Sequence, residues 1–130
     1  MKIYLLLLVI VATLAACSDD NSSPKKVKAT VPITLLEVDD TGTTGEEVEL
    51  HVTATAYNGC YSDLEILLEE SDERHYILSA SAMRTKSNVC PQNLVIRDTV
   101  IRFTPQQTGS YYFAANKPGL TILRDTLVVE

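Results

Sequence analysis

Residues that carry chemistry are scarce in this sequence. Among 130 residues there are two histidines, three cysteines and no tryptophan. His51 and His75 stand 24 positions apart in the numbering, which excludes a paired-histidine metal motif. No nucleophile elbow, phosphate-cradling glycine loop or dinucleotide fingerprint occurs, so those enzyme classes are excluded and no cofactor is expected. Basic residues are few as well, 11 against 17 acidic, for a net charge of −6. Nucleic-acid binding needs clustered Lys and Arg, so that partner is excluded. An acidic surface is otherwise silent about partners. No apolar run reaches the roughly 20 residues of a comfortable transmembrane helix.

The apolar run that is present lies at the start. Lys2 supplies a positive charge, Ile3 to Ala12 follow unbroken, and small residues close the segment. A charged start, a short apolar core and small residues read as a secretory signal rather than a retained anchor. Leu14-Ala15-Ala16-Cys17 resembles the lipobox of bacterial lipoproteins. The resemblance implies that the Cys17 thiol receives a diacylglyceryl group and that cleavage before it makes Cys17 the mature N-terminus. A thiolate is the one strong nucleophile of that segment. The expected organisation is therefore a signal peptide over 1–16, a lipidated N-terminus and flexible tether over 17–30, and a single domain over 31–130. The implied partner is a membrane, held through lipid on Cys17. Two or three acyl chains would hold it durably where one would not.

Ser18 at the position after the cysteine resembles outer-membrane lipoproteins, in which aspartate there would mark inner-membrane retention. Asp19 and Asp20 resemble the short acidic surface-export signal of lipoproteins in the Bacteroidota. A plain acidic tether is the equally weighted reading. The expected location is the cell envelope, with a lipid anchor in the outer membrane.

With Cys17 consumed, Cys60 and Cys90 remain, in a compartment that permits oxidation. A disulfide between them is the simple solution. Metal ligation competes with it, but the sequence has no recognised ligand spacing. Asp39, Asp40, Glu46 and Glu47 lack the spacing of an EF-hand loop, so no metal site is assigned.

From Val31 onward the chain breaks into short apolar runs separated by Gly, Asp, Asn, Ser and Pro. Val48, Leu50, Val52, Ala54 and Ala56 alternate with Glu49, His51, Thr53, Thr55 and Tyr57, the period of a half-buried strand. Residues 63–70 fit either a short helix, capped by Ser62 and Glu65, or the first arm of a hairpin turning at "SDER". The surrounding strands favour the hairpin. "NLVIRDTVIRF", "GSYYFAAN" and "LTILRDTLVVE" complete about seven strands, the pattern of an antiparallel all-β sandwich.

Gln107-Thr108-Gly109-Ser110-Tyr111-Tyr112-Phe113 resembles the tyrosine corner of immunoglobulin-like domains, with Gly109 and Tyr111 on the pattern. Gln107 and Phe113 replace its Asp and Cys, so no antibody-type inter-sheet disulfide is implied. The chain as a whole resembles small cysteine-paired, immunoglobulin-like lipoproteins of Bacteroidota.

Tyr57, Asn58 and Tyr61, beside Cys60, are the candidate binding residues: aromatic and amide groups on a stapled loop suit recognition. Asp98-Thr99-Val100 and Asp125-Thr126-Leu127 resemble the O-glycosylation triplet of Bacteroidota, which makes Thr99 and Thr126 candidate modification sites; β-branched residues also simply suit strands. His51, His75 and the acidic run Glu65 to Glu73 read as surface. The expected function is a non-catalytic binding or assembly module of the envelope, its partner a protein or glycan. An envelope enzyme or enzyme inhibitor is the alternative.

Overall fold

In the alternating segment 48–56, one strand face carries Val48, Leu50, Val52 and Ala54, all buried, while Glu49 and His51 stay exposed. It is strand β4 (Val48–Ala56) of a computed structural model that describes residues 23–115 and 122–130. The segments expected to be signal peptide and lipidation site, with Cys17, Asp19 and Asp20, lie outside the described residues.

Nine strands are described, not seven, and no helix. Strand β4 is the middle of a three-stranded antiparallel sheet, between β2 (Ile33–Val38) and β7 (Val95–Phe103). The second sheet is built on the hairpin of β5 (Tyr61–Asp72) and β6 (His75–Thr85), turned by Glu73 and Arg74. The hairpin reading of 63–70 therefore holds. Helical spacing loses there because Leu64 and Leu68 face the core while Glu65, Leu67 and Glu69 face water, which is period two.

On the far edge of β6, two strands share the length. Strand β1 (Lys26–Val31) pairs with the C-terminal half of β6, and β8 (Gly109–Ala115) pairs with its N-terminal half. Next come β9 (Leu123–Val129) and the two-residue β3 (Thr41–Gly42).

Two expectations are corrected. The sandwich is not purely antiparallel: β6 pairs with β8, and β3 with β9, in parallel. Parallel neighbours need a crossover; between β6 and β8 the chain makes it by passing through the other sheet as β7. The expected tether over 17–30 also ends early. Lys26–Thr30 already belong to β1, since Val27 and Ala29 sit half-buried between exposed Lys26, Lys28 and Thr30.

The core lies between the sheets. Ile33, Leu50 and Val52 from one face Leu78, Phe113 and Leu127 from the other, all within 1 % of full burial. Phe103, Tyr76, Tyr111 and Phe113 meet at one end in stacked and edge-on pairs with centroids 5.0–6.3 Å apart. Aromatic pairs of this kind add about 0.5–1.5 kcal/mol beyond burial.

The Tyr111 hydroxyl donates to the Gln107 carbonyl at 3.0 Å and accepts from the Gln107 N–H at 3.2 Å. It reaches back to backbone before its own strand, as the corner pattern requires. Gly109 is strongly favoured in this corner. Its φ of +123° suits glycine, and the Arg74 guanidinium occupies the place a Cβ would take.

Candidate functional site: the disulfide-stapled end

The chain crosses from one sheet to the other twice at the same end of the sandwich, from β4 to β5 and back from β6 to β7. Cys60 lies in the first crossover and Cys90 in the second. They form a disulfide with Cα atoms 5.2 Å apart. Hydrogen bonds continue the join: the Gly59 N–H donates to the Pro91 carbonyl at 2.8 Å, and the Thr85 N–H donates to the Cys60 carbonyl at 2.8 Å. Gly59 lets the two loops meet, because a Cβ there would stand 2.9 Å from the Pro91 ring.

The three candidate binding residues part company here. The Asn58 side-chain oxygen accepts the Cys60 N–H at 3.0 Å, an Asx-type turn that commits it to the loop. Tyr61 is half-buried against the core, with the Arg84 guanidinium 5.8 Å above its ring. Tyr57 alone points outward, 60 % exposed.

Other residues join Tyr57 at this end. Across the described residues, the five most exposed large apolar side chains are Val89 at 81 %, Tyr57 at 60 %, Leu94 at 56 %, Ile96 at 54 % and Ile122 at 51 %. Ile96 is in register with Thr55, so the next outward positions of the two strands are Leu94 and Tyr57. Val89 precedes the disulfide cysteine. Ile122 lies elsewhere: it precedes β9, whose Leu123 is in register with Ala115, and Ala115 with Leu78, seven residues along β6 from Thr85. Sequence reasoning missed three of the four at the stapled end. Cys90 between Val89 and the Leu94/Ile96 alternation was the available signal.

The chain has no match among protein-family models, curated proteins or solved structures.

The remaining candidates are structural or dispersed. Thr99 lies in register with buried Val52, so it sits half-buried on the inward side of β7; Thr126 lies opposite exposed Tyr112 on the outward side of β9. Both triplet aspartates have partners. Asp98 accepts the Thr53 hydroxyl at 2.7 Å. Asp125 accepts the Val38 N–H at 2.8 Å with one oxygen and the Thr126 N–H at 2.8 Å with the other, stitching β9 to the free edge of β2.

His51 is exposed, 3.9 Å from Glu49, an arrangement of little energetic weight. His75 stacks on Tyr112 with centroids 4.8 Å apart, and its Nδ1 lies 2.9 Å from the Glu73 carbonyl. The pair lines a shallow groove of about 420 Å³ with Ile77, Arg124 and Thr126. Among the described residues no three acidic, histidine or cysteine side chains converge as metal ligands.

One hydroxyl has a shifted proton affinity. Burial, and then the negative charge of Glu70, push the Tyr76 phenol above its ordinary value of 10.0.

Proposed function

We propose that this chain is a lipid-anchored lipoprotein of the cell envelope, held in the outer membrane through Cys17, whose sandwich acts as a non-catalytic binding or assembly module through its stapled end. The observation that carries the reading is the division of labour among three cysteines. Cys60 and Cys90 are joined, which is the state of cysteines in oxidising compartments. That leaves Cys17, the lipobox cysteine, free for lipid. The domain begins only a few residues later, at Lys26.

An immunoglobulin-like sandwich is the fold reading. The Tyr111 corner and the two-sheet core support it. The parallel β6–β8 contact departs from the pattern. The stapled end is the contact surface because it combines exposed apolar side chains with a backbone fixed by a covalent bond, and fixed loops lose little entropy on binding.

Mass spectrometry of the native protein tests the anchor. Cleavage after Ala16 with added acyl mass on Cys17 is expected; an unmodified, soluble mature chain overturns the reading. Protease treatment of intact cells tests surface display through Asp19 and Asp20. Digestion of the wild type, and protection when both aspartates are replaced by Asn, are expected. Full protection of the wild type would leave a lipoprotein facing the periplasm.

A further inference from the structure

We infer that the stapled end is a membrane-docking surface, seated on the anionic lipid headgroups of the same bilayer that holds the Cys17 lipid. The inference rests on the anchor reading above and names the partner of that same surface.

Three independent observations converge on it. The first is where the chain emerges. Lys26 is in register with Thr85, and the Lys86 N–H donates to the Lys25 carbonyl at 2.9 Å. Thr85 in turn is bonded to Cys60. The N-terminal side of the domain therefore leaves from the stapled end. Cys17 to Lys25 is eight residues, which span at most about 26–29 Å. Strand β4 alone runs nine residues, about 30 Å from one end of the sandwich to the other. Seating the opposite end on the bilayer would require those eight residues to run fully stretched along the whole domain. Seating the stapled end requires no such path.

The second observation is the distribution of charge in a chain that is acidic overall. Around the stapled end stand Lys25, Lys26, Lys28, Arg84 and Lys86, against Asp63 and Glu65, and Glu65 is paired with Lys28 at 3.8 Å. The opposite end carries the reverse. Asp39, Asp40, Glu46 and Glu47 lie around β3 there, Asp72 and Glu73 in the hairpin turn, and Glu130 follows β9, against Arg74 and Arg102, which are paired with Glu73 at 3.3 Å and Glu47 at 3.4 Å. An anionic surface attracts the first end and repels the second, which orients the domain as well as holding it.

The third is the apolar set at that end. Tyr57, Val89, Leu94 and Ile96 are the four most exposed large apolar groups described, and they share the basic end. Apolar tips flanked by Lys and Arg match a headgroup layer, where the tips enter the acyl boundary and the cations stay with the phosphates. An envelope protein or a glycan would explain the apolar tips, but neither accounts for the emergence of the chain and the charge reversal together.

The chain has no tryptophan, so one introduced tryptophan is a unique fluorescent reporter. Acylated full-length mature protein carrying Tyr57→Trp or Leu94→Trp is inserted in vesicles of phosphatidylcholine with one-third phosphatidylglycerol, with and without acyl-chain bromination. Thr43→Trp marks the opposite end. Each variant is first checked for an unchanged melting temperature. Blue-shifted emission at positions 57 and 94, quenched by brominated lipid, with no quenching at 43, is expected.

Each basic side chain near an anionic surface shifts the docked equilibrium by about fivefold. Combining Lys25→Gln with Lys86→Gln should therefore shift it by roughly 25-fold and relieve the quenching. Acylated, vesicle-bound protein with unquenched reporters at 57 and 94 overturns the docking inference and leaves the anchor standing. So does quenching that is indifferent to both lysines and to salt. Protein without acyl mass on Cys17 overturns the anchor reading and the docking inference with it.

Discussion

Replacing Cys60 and Cys90 by serine, singly and together, measures what the staple contributes. The bond closes a loop with a sequence separation of 30. Loop-closure entropy for that length comes to about 3.6 kcal/mol at 25 °C, contributed by restricting the unfolded chain. For a domain near 100 residues that corresponds to a fall in Tm of roughly 15 °C.

The two single changes should not be equal. Cys60 is buried and Cys90 half-exposed, so a serine hydroxyl at 60 adds a desolvation cost of about 1 kcal/mol that one at 90 largely escapes. The double change should cost little more than Cys60→Ser, since both singles break one bond. Urea denaturation of the four proteins, with thiols counted after unfolding without reductant, checks this. No free thiol at 60 or 90 in the unfolded wild type, and reductant lowering its stability to near that of the variants, complete the expectation. Additive losses, a total under about 1 kcal/mol, or destabilisation by chelator would refute the reasoning.

The remaining predictions concern the frame around the staple. Tyr111→Phe removes both corner hydrogen bonds and should cost about 1–2 kcal/mol in a denaturant titration. Gly109→Ala should cost more than about 1 kcal/mol, and Arg74→Ala should relieve only the collision, leaving the φ penalty. Asp125→Ala leaves the Val38 N–H without its partner and should cost about 1–3 kcal/mol. Tyr76 holds its proton more tightly in the fold than in the unfolded chain. Its contribution is therefore complete below pH about 10 and is lost as pH rises through the elevated folded value; Tyr76→Phe should flatten that alkaline fall in stability.

Strand β4 was legible because five apolar residues at every second position leave one solution. The Cys60–Cys90 pair was legible by counting, and the Tyr111 corner by spacing. Strand β1 reads as a tether because three of its residues are polar or charged and its register partners in β6, from Thr85 to Ala80, lie far along the chain. The β6–β8 pairing left no mark in the sequence, since Tyr76 and Phe113 look the same whichever strand stands beside them. The site divided in the same way. Asn58 before Gly59 announces a turn but not which hydrogen bond the amide will make. Val89, Leu94 and Ile96 carry side chains that default to the core, and only the crossover geometry leaves them outside.

The parallel contact between β6 and β8 also constrains how the chain can be assembled or divided. The β5–β6 and β8–β9 hairpins are each local, but they are joined through β7, which pairs with β4 in the other sheet. Contacts between residues far apart in sequence slow folding, because loop entropy is lost before they form. A ribosome-bound chain emerging only as far as Phe103 would hold one finished sheet and half of another. The N-terminal half of β6 would then be bare on the edge that β8 later covers. The chain should thus complete its fold late, when β8 and β9 arrive together.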